Sequence, residues 1–172
     1  MSKAFTKEDD RGGDEPALPR RAPLPDGTPN YVTARGLALL EAELTALERE
    51  RAQLAGEGDA RRAAWLRLGG QIAELAARIA SAVLIAPPAD AEEQVRFGAA
   101  VRIRREDGSE EVFRIVGVDE ADPKRGCIAF VAPLARALLG KYAGDAVRFA
   151  SPRGAEELEI AAVDYERGSS AT

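Results

Sequence analysis

The sequence predicts an α+β chain in which an N-terminal antiparallel α-helical coiled-coil hairpin precedes a small β-rich domain with one short helix. Leu37, Leu44 and Arg51 alternate with Leu40, Leu47 and Leu54, and further on Trp65, Ile72 and Ile79 alternate with Leu68, Leu75 and Ala82. This three-then-four spacing lays one apolar seam along each of two helices. Between them, Gly56-Glu57-Gly58-Asp59 is too short to do anything but fold the second helix back along the first. Beyond residue 96 the period changes: Phe97, Ala99, Val101 and Ile103 alternate with Arg102 and Arg104, the pattern of a half-buried strand.

Taken in order, residues 1–32 hold five of the ten prolines and the charge run Lys7-Glu8-Asp9-Asp10-Arg11. Such a segment has too little apolar surface to offset its ordering entropy and reads as a disordered leader. Thr33 stands where a helix N-cap belongs. From Ala34 to Ala55 the pattern is uninterrupted, an arm of about 33 Å at 1.5 Å per residue. The second arm runs from Ala60 to Ala82 and carries Gly69-Gly70, each costing about 1 kcal/mol against alanine, so a soft spot or kink is expected there. Pro87-Pro88 closes the hairpin, assigned to 33–86, and opens a linker at 87–95.

The globular domain is assigned to 96–166 and a disordered tail to 167–172. Asp107-Gly108 turns the first strand into a second over Val112 to Val118. Cys127 to Val131 make a third, after a polar loop from Glu120 to Gly126. Pro133 suits the first turn of a helix filled by Ala135 to Leu139, and Gly140 supplies a left-handed stop. Ala146 to Phe149 and Glu156 to Tyr165 form the last hairpin, turning at Ser151-Pro152-Arg153-Gly154. In its final strand the apolar parity switches from Leu158 and Ile160 to Val163 and Tyr165, which predicts a bulge.

Composition narrows the chemistry. A net charge of −5 over 172 residues argues against a general nucleic-acid binder held by a basic surface. No apolar run approaches the roughly 20 residues of a membrane helix, and the amino terminus lacks a signal-peptide core, so a cytoplasmic protein with no membrane partner is expected. The single cysteine, Cys127, allows no intrachain disulfide, and the absence of histidine removes the usual general base and the commonest zinc ligand. Any chemistry runs on carboxylates or belongs to a partner.

A leader with Ala17-Leu18-Pro19 and Asn30-Tyr31-Val32-Thr33, the heptad hairpin, FGAAVRIRREDG (97–108), FRIVGVDEAD (113–122), APLARALLGKYAGD (132–145) and a closing Asp164-Tyr165 follow one another along the chain. Together they resemble the Gre transcription elongation factors, the leader being closest to the GreB branch. The resemblance covers nearly the whole chain. It implies an FKBP-like fold for the globular domain, which docks on the rim of the secondary channel of bacterial RNA polymerase. It also implies a coiled coil that reaches down that channel toward the catalytic magnesium. The protein is then a monomeric regulatory factor rather than an enzyme, with no cofactor of its own beyond Mg2+ shared with the polymerase, and it meets nucleic acid only within the transcription complex.

In that family the hairpin tip carries an Asp and, three residues later, a Glu, which are thought to hold the second magnesium and orient a water for transcript hydrolysis. Hard magnesium takes such oxygen ligands, and paired metals stabilise the attacking and leaving oxygens. Here the matching run is Gly58-Asp59-Ala60-Arg61-Arg62-Ala63-Ala64-Trp65-Leu66. Asp59 is kept, but Arg62 occupies the Glu position, Ala63 the Asn position and Leu66 the Tyr position. Asp59 can serve as a helix N-cap or pair with Arg62 one turn on. Glu57 can stand in as a second acid, and Arg62 can instead meet a phosphate of nucleotide or RNA. Each arm is also about eight residues shorter than is usual in the family, which withdraws the tip by about 12 Å.

The loops corresponding to the family's polymerase-binding face hold Asp119, Glu120 and Asp122, with Pro133, Arg136 and Lys141 beyond them. Ala132 and Val131 stand where Ser and a polar residue are common. The expectation is a channel-binding elongation factor with weak or no stimulation of transcript cleavage. The alternatives are a cleavage factor using Asp59 and Glu57 and, from other classes, a prolyl isomerase or a coiled-coil adaptor unrelated to polymerase. An FKBP-type isomerase site is an aromatic-lined pocket, whereas the only tryptophan, Trp65, lies on the hairpin seam.

Overall fold

A computed structural model describes Arg21 and residues 23–88, 93–151 and 154–165. The order of elements is β1 (Asn30–Val32), α1 (Ala34–Ala52), α2 (Asp59–Ala80), β2 (Ala82–Leu84), β3 (Ala99–Arg105), β4 (Glu110–Val116), β5 (Cys127–Ala129), α3 (Pro133–Leu138), β6 (Ala146–Ser151) and β7 (Gly154–Tyr165). Two short 3-10 turns, Val118–Glu120 and Pro123–Arg125, lie between β4 and β5.

The two long helices pack on each other through the seam residues. Leu40 and Leu75 are buried in one cluster with Val32, and Leu37, Leu44, Leu47, Ile79 and Ala82 close around it. Thr33 caps α1, its hydroxyl accepting from the Gly36 amide at 2.8 Å. The first arm is shorter than the periodicity suggests, because residues 53–58 are given to the connection, whereas the second starts one residue early, at Asp59, and stops at Ala80. Gly69-Gly70 does not interrupt α2, which runs unbroken from Asp59 to Ala80. Trp65 departs from the seam: it is 49 % exposed, and the Arg51 guanidinium lies 5.6 Å from its ring centre.

Two boundaries need correction. Order begins before Thr33, since β1 pairs in parallel with β2 through Asn30↔Ala82, Tyr31↔Val83 and Val32↔Leu84. The end of the second arm therefore turns into a strand at Ala82. Asn30 ties the two together, donating to the Arg78 carbonyl at 2.8 Å and to the Ser81 hydroxyl at 3.0 Å. Burying a polar amide is tolerated here because it finds partners. The globular unit likewise starts inside the segment read as a linker: Val95 is fully buried, donates to the Lys141 carbonyl at 2.7 Å and accepts from Gly140 at 2.8 Å. Residues 1–20, 89–92 and 166–172, and with them most of the leader, part of the linker and the tail, lie outside the described residues, as do Pro152 and Arg153 of the last turn.

The five-stranded sheet has the order β5-β4-β3-β7-β6. Its one parallel pair, β4 with β5, is joined by the two 3-10 turns. Alternation works as expected in β3, where Val101 and Ile103 are fully buried and Arg102 and Arg104 are exposed. On the solvent face Arg104 pairs with Glu110 at 2.9 Å and with Glu159 at 3.3 Å, cross-strand contacts of the kind that hold register. The bulge is present: Arg102 faces Ala162 but Ile103 faces Ile160, leaving Ala161 as the extra residue. β5 stops at Ala129, two residues short of expectation, and α3 ends at Leu138 with Gly140 left-handed at φ 80°.

Candidate functional site

At the far end of the helix pair, Glu57, Asp59 and Arg62 are all exposed. Gly58, with φ 92°, is the N-cap of α2 and makes no side-chain capping bond. Asp59 is therefore not the cap; it is the first residue of the helix, where its charge favours the positive end of the helix dipole. The connection is fastened instead by Arg61, whose Nε donates to the Leu54 carbonyl at 3.2 Å. Among the described residues no ion pair joins Asp59 to Arg62, and no three acidic or cysteine side chains converge where a metal ion could sit. A lone carboxylate beside a guanidinium one turn along does not fit magnesium, which takes several oxygen ligands. The second acid, Glu57, is held across a left-handed glycine rather than on the helix face that carries Asp59.

The residues expected on the polymerase-facing loops divide into two groups. Pro133 at the first turn of α3, Arg136 and Lys141 are exposed. Asp122 is half-buried and caps the second 3-10 turn, its carboxylate accepting from the Lys124 amide at 3.1 Å. Asp119 and Glu120 point the other way. Their side chains are only 6 % and 4 % exposed, and they face the base of the two helices.

The contacts at that base are specific. Asp119 pairs with Arg78, in the last turn of α2, at 2.8 Å and with Arg21 at 3.0 Å, while Arg21 also reaches Glu43 of α1 at 2.6 Å. Burial opposes the charge of Arg21, and its bonds to Glu43 and then Asp119 outweigh that, holding its pKa above the ordinary arginine value. Glu120 accepts a hydrogen bond from the Thr33 hydroxyl that caps α1, and Arg35 lies 3.9 Å away. Two glycines allow the approach: a Cβ on Gly36 would lie 2.7 Å from Glu120 Oε2, and one on Gly117 would lie 2.5 Å from the Tyr31 carbonyl oxygen. Tyr31 also meets Phe130 and Phe97, with ring centres 5.5 and 5.8 Å apart.

Arg21, Thr33, Arg35 and Arg78 are residues that reasoning from spacing missed as partners of these acids. Arg35 and Arg78 lie off the seam, which is a weak sign of some other contact, but Arg21 is 98 residues from Asp119 and no local pattern joins them.

Comparison with known proteins gives this arrangement a context. Residues 90–165 match the sequence profile of the family described as "Transcription elongation factor, GreA/GreB, C-term". The transcription elongation factor GreB of Neisseria meningitidis serogroup B is 36% identical over 155 residues, covering 80% of this chain and 95% of that protein. GreA of Ralstonia nicotianae is 37% identical over 152 residues, covering 78% and 96%. A solved structure of a GreA/GreB factor from Nitrosomonas europaea is 24% identical, covers 78% of this chain and 98% of that one, and superposes with a TM-score of 0.41. The mixed helix-and-sheet chain is thus of the transcription elongation factor class. It belongs to the GreA/GreB family.

Proposed function

We propose that this factor binds bacterial RNA polymerase at the rim of its secondary channel and regulates elongation from within the channel, with weak or no stimulation of transcript cleavage. In this reading the five-stranded unit is the FKBP-like domain that docks, using the exposed surface around Asp122, Pro133, Arg136 and Lys141. The helices α1 and α2 form the antiparallel coiled-coil hairpin that enters. The protein acts as a monomer and is a regulator rather than an enzyme: it supplies occupancy and charge to a site whose chemistry is the polymerase's own.

The observation that carries the reading is the tip. Asp59 is exposed with Arg62, not a glutamate, one turn along the same helix. Bringing a second magnesium to an active site requires negative charge, and this pair brings about none. The helices add a second argument, since 19 and 22 residues reach only about 28 and 33 Å.

The test is a backtracked transcription complex to which the protein is added. Binding without release of short 3′ RNA fragments is expected, and prompt release would sink the reading in favour of cleavage through Asp59 and Glu57. An Arg62→Glu variant restores the acid pair and is expected to raise cleavage by about tenfold, equivalent to about 1.4 kcal/mol of barrier.

A further inference from the structure

We infer that Asp119 and Glu120 are positioning residues: one 3-10 turn of the globular unit grips both helices at their base and sets the angle at which the tip is presented. The two acids are adjacent in sequence, yet each serves a different helix. Glu120 accepts from the Thr33 hydroxyl, which in turn accepts from the Gly36 amide, so a carboxylate stands at the positive end of α1. Asp119 holds the other helix through Arg78 in its last turn, and through Arg21 it reaches Glu43 one side further along α1. Each helix end thus meets charge of the sign its dipole favours, acid at the start of α1 and a guanidinium at the end of α2.

A simpler account is that these acids are merely buried at a hydrophobic junction. Three features argue for an angle-setting contact instead. The partners come from three separate segments, Arg21, the start of α1 and the end of α2, so a movement of any one of them alone breaks an ion pair or a hydrogen bond. Gly117 leaves no room for a side chain against the Tyr31 backbone, and one on Gly36 would displace the Glu120 carboxylate from its place, so both positions tie the helices and the globular unit to one register. On the flank the Tyr31, Phe97 and Phe130 rings meet edge-on or tilted, adding a second, apolar anchor for β1.

The consequence is leverage. Over the about 28 Å of α1, a swing of only 10° at the base moves the tip by about 5 Å. Placement of the tip inside a polymerase is the part of this inference that rests on the function proposed above; the grip itself does not.

The experiment uses the full chain with Cys127→Ala, nitroxide labels on Ala63→Cys near the tip and Ala155→Cys on the globular unit, and pulsed dipolar distance measurement. The unaltered grip is expected to give one narrow distance population. Asp119→Asn with Glu120→Gln is expected to broaden or shift it by about 5 Å, the travel of that 10° swing. An unchanged distribution in this variant, with normal far-UV circular dichroism, would overturn the inference. Should the double variant fold poorly, Thr33 decides: Thr33→Ser, which keeps the hydroxyl, is expected to retain the narrow population and Thr33→Val to lose it, and identical distributions from the two would overturn the inference equally.

A polymerase arm separates the two readings. The Thr33→Val variant is expected to bind polymerase within twofold of the parent while losing most of its effect on elongation. If the parent itself fails to bind, the channel proposal falls and the grip stands or falls on the distances alone.

Discussion

At Gly117 the place of a side chain is already taken. Its φ of −65° is ordinary for any residue, so the need for glycine is purely one of contact: the Tyr31 carbonyl oxygen would lie 2.5 Å from a Cβ, and it is backbone that has no rotamer to escape into. Gly117→Ala is expected to cost about 1–3 kcal/mol in chemical denaturation, as overpacking does elsewhere. Stability equal to the parent would mean that β1 does not sit on this turn. A second residue-scale expectation concerns the β3–β4 turn. There the Ser109 hydroxyl, and after it the Ser109 amide, donate to Asp107 and hold its pKa below the ordinary aspartate value. A depressed carboxylate favours the folded state above its unfolded pKa and loses that contribution as pH falls through the folded value. Ser109→Ala is expected to move the Asp107 titration, followed by carbonyl chemical shift, up toward the ordinary range; no upward movement would show that the turn bonds are not what depresses it.

Among elements, α2 is the one whose sequence most invites doubt, because two adjacent glycines sit near its middle. The helix stays continuous because the seam on either side, Leu68 and Leu75, is buried, and tertiary packing outweighs propensity. A Cβ on Gly70 would meet nothing within 4 Å. Gly70→Ala is therefore expected to stabilise the chain by about 0.5–1 kcal/mol, read as a rise in melting temperature; a fall would indicate that flexibility or a contact at this point had been overlooked. Elements with a repeated period were legible from sequence for this reason: many residues vote on one face. The seam, the alternation of β3 and even the presence of a bulge in the last strand came from such patterns. β1 and β2 did not, since three residues carry too little period to be distinguished from a leader or from the end of a helix. Asp119 and Glu120 were legible as acids in a loop but not as buried ones. Their burial depends on Arg21, Thr33 and Arg78, which chain topology brings in from far away. Asp59 looked like an N-cap because aspartate favours that place, but Gly58 with its positive φ took the cap.

At the scale of the whole molecule, the question is whether the helix pair stands by its own packing or by what its base is fastened to. Helices draw most of their stability from packing rather than propensity, and the cluster these two share buries few side chains completely, Leu40 and Leu75 with Val32 of β1. The globular unit has by contrast ten buried residues in one core among the described residues. Stability of the helices therefore depends on the base, where Asp119 neutralises Arg78 and Arg21. Removing that carboxylate takes a buried acid from beside Arg78 and leaves Arg21 with Glu43 alone, an effect of about 3 kcal/mol for buried pairs. Two single-copy probes report the two parts separately: Trp65 lies on α2, and Cys127 is buried in β5. In the parent chain, tryptophan fluorescence and Cys127 thiol reactivity are expected to follow one unfolding transition in denaturant. In Asp119→Ala they are expected to separate, fluorescence changing first while the thiol stays protected, because the sheet keeps its own core. Coincident transitions in the variant would mean that the seam alone sustains the helices and that the base contributes orientation without stability.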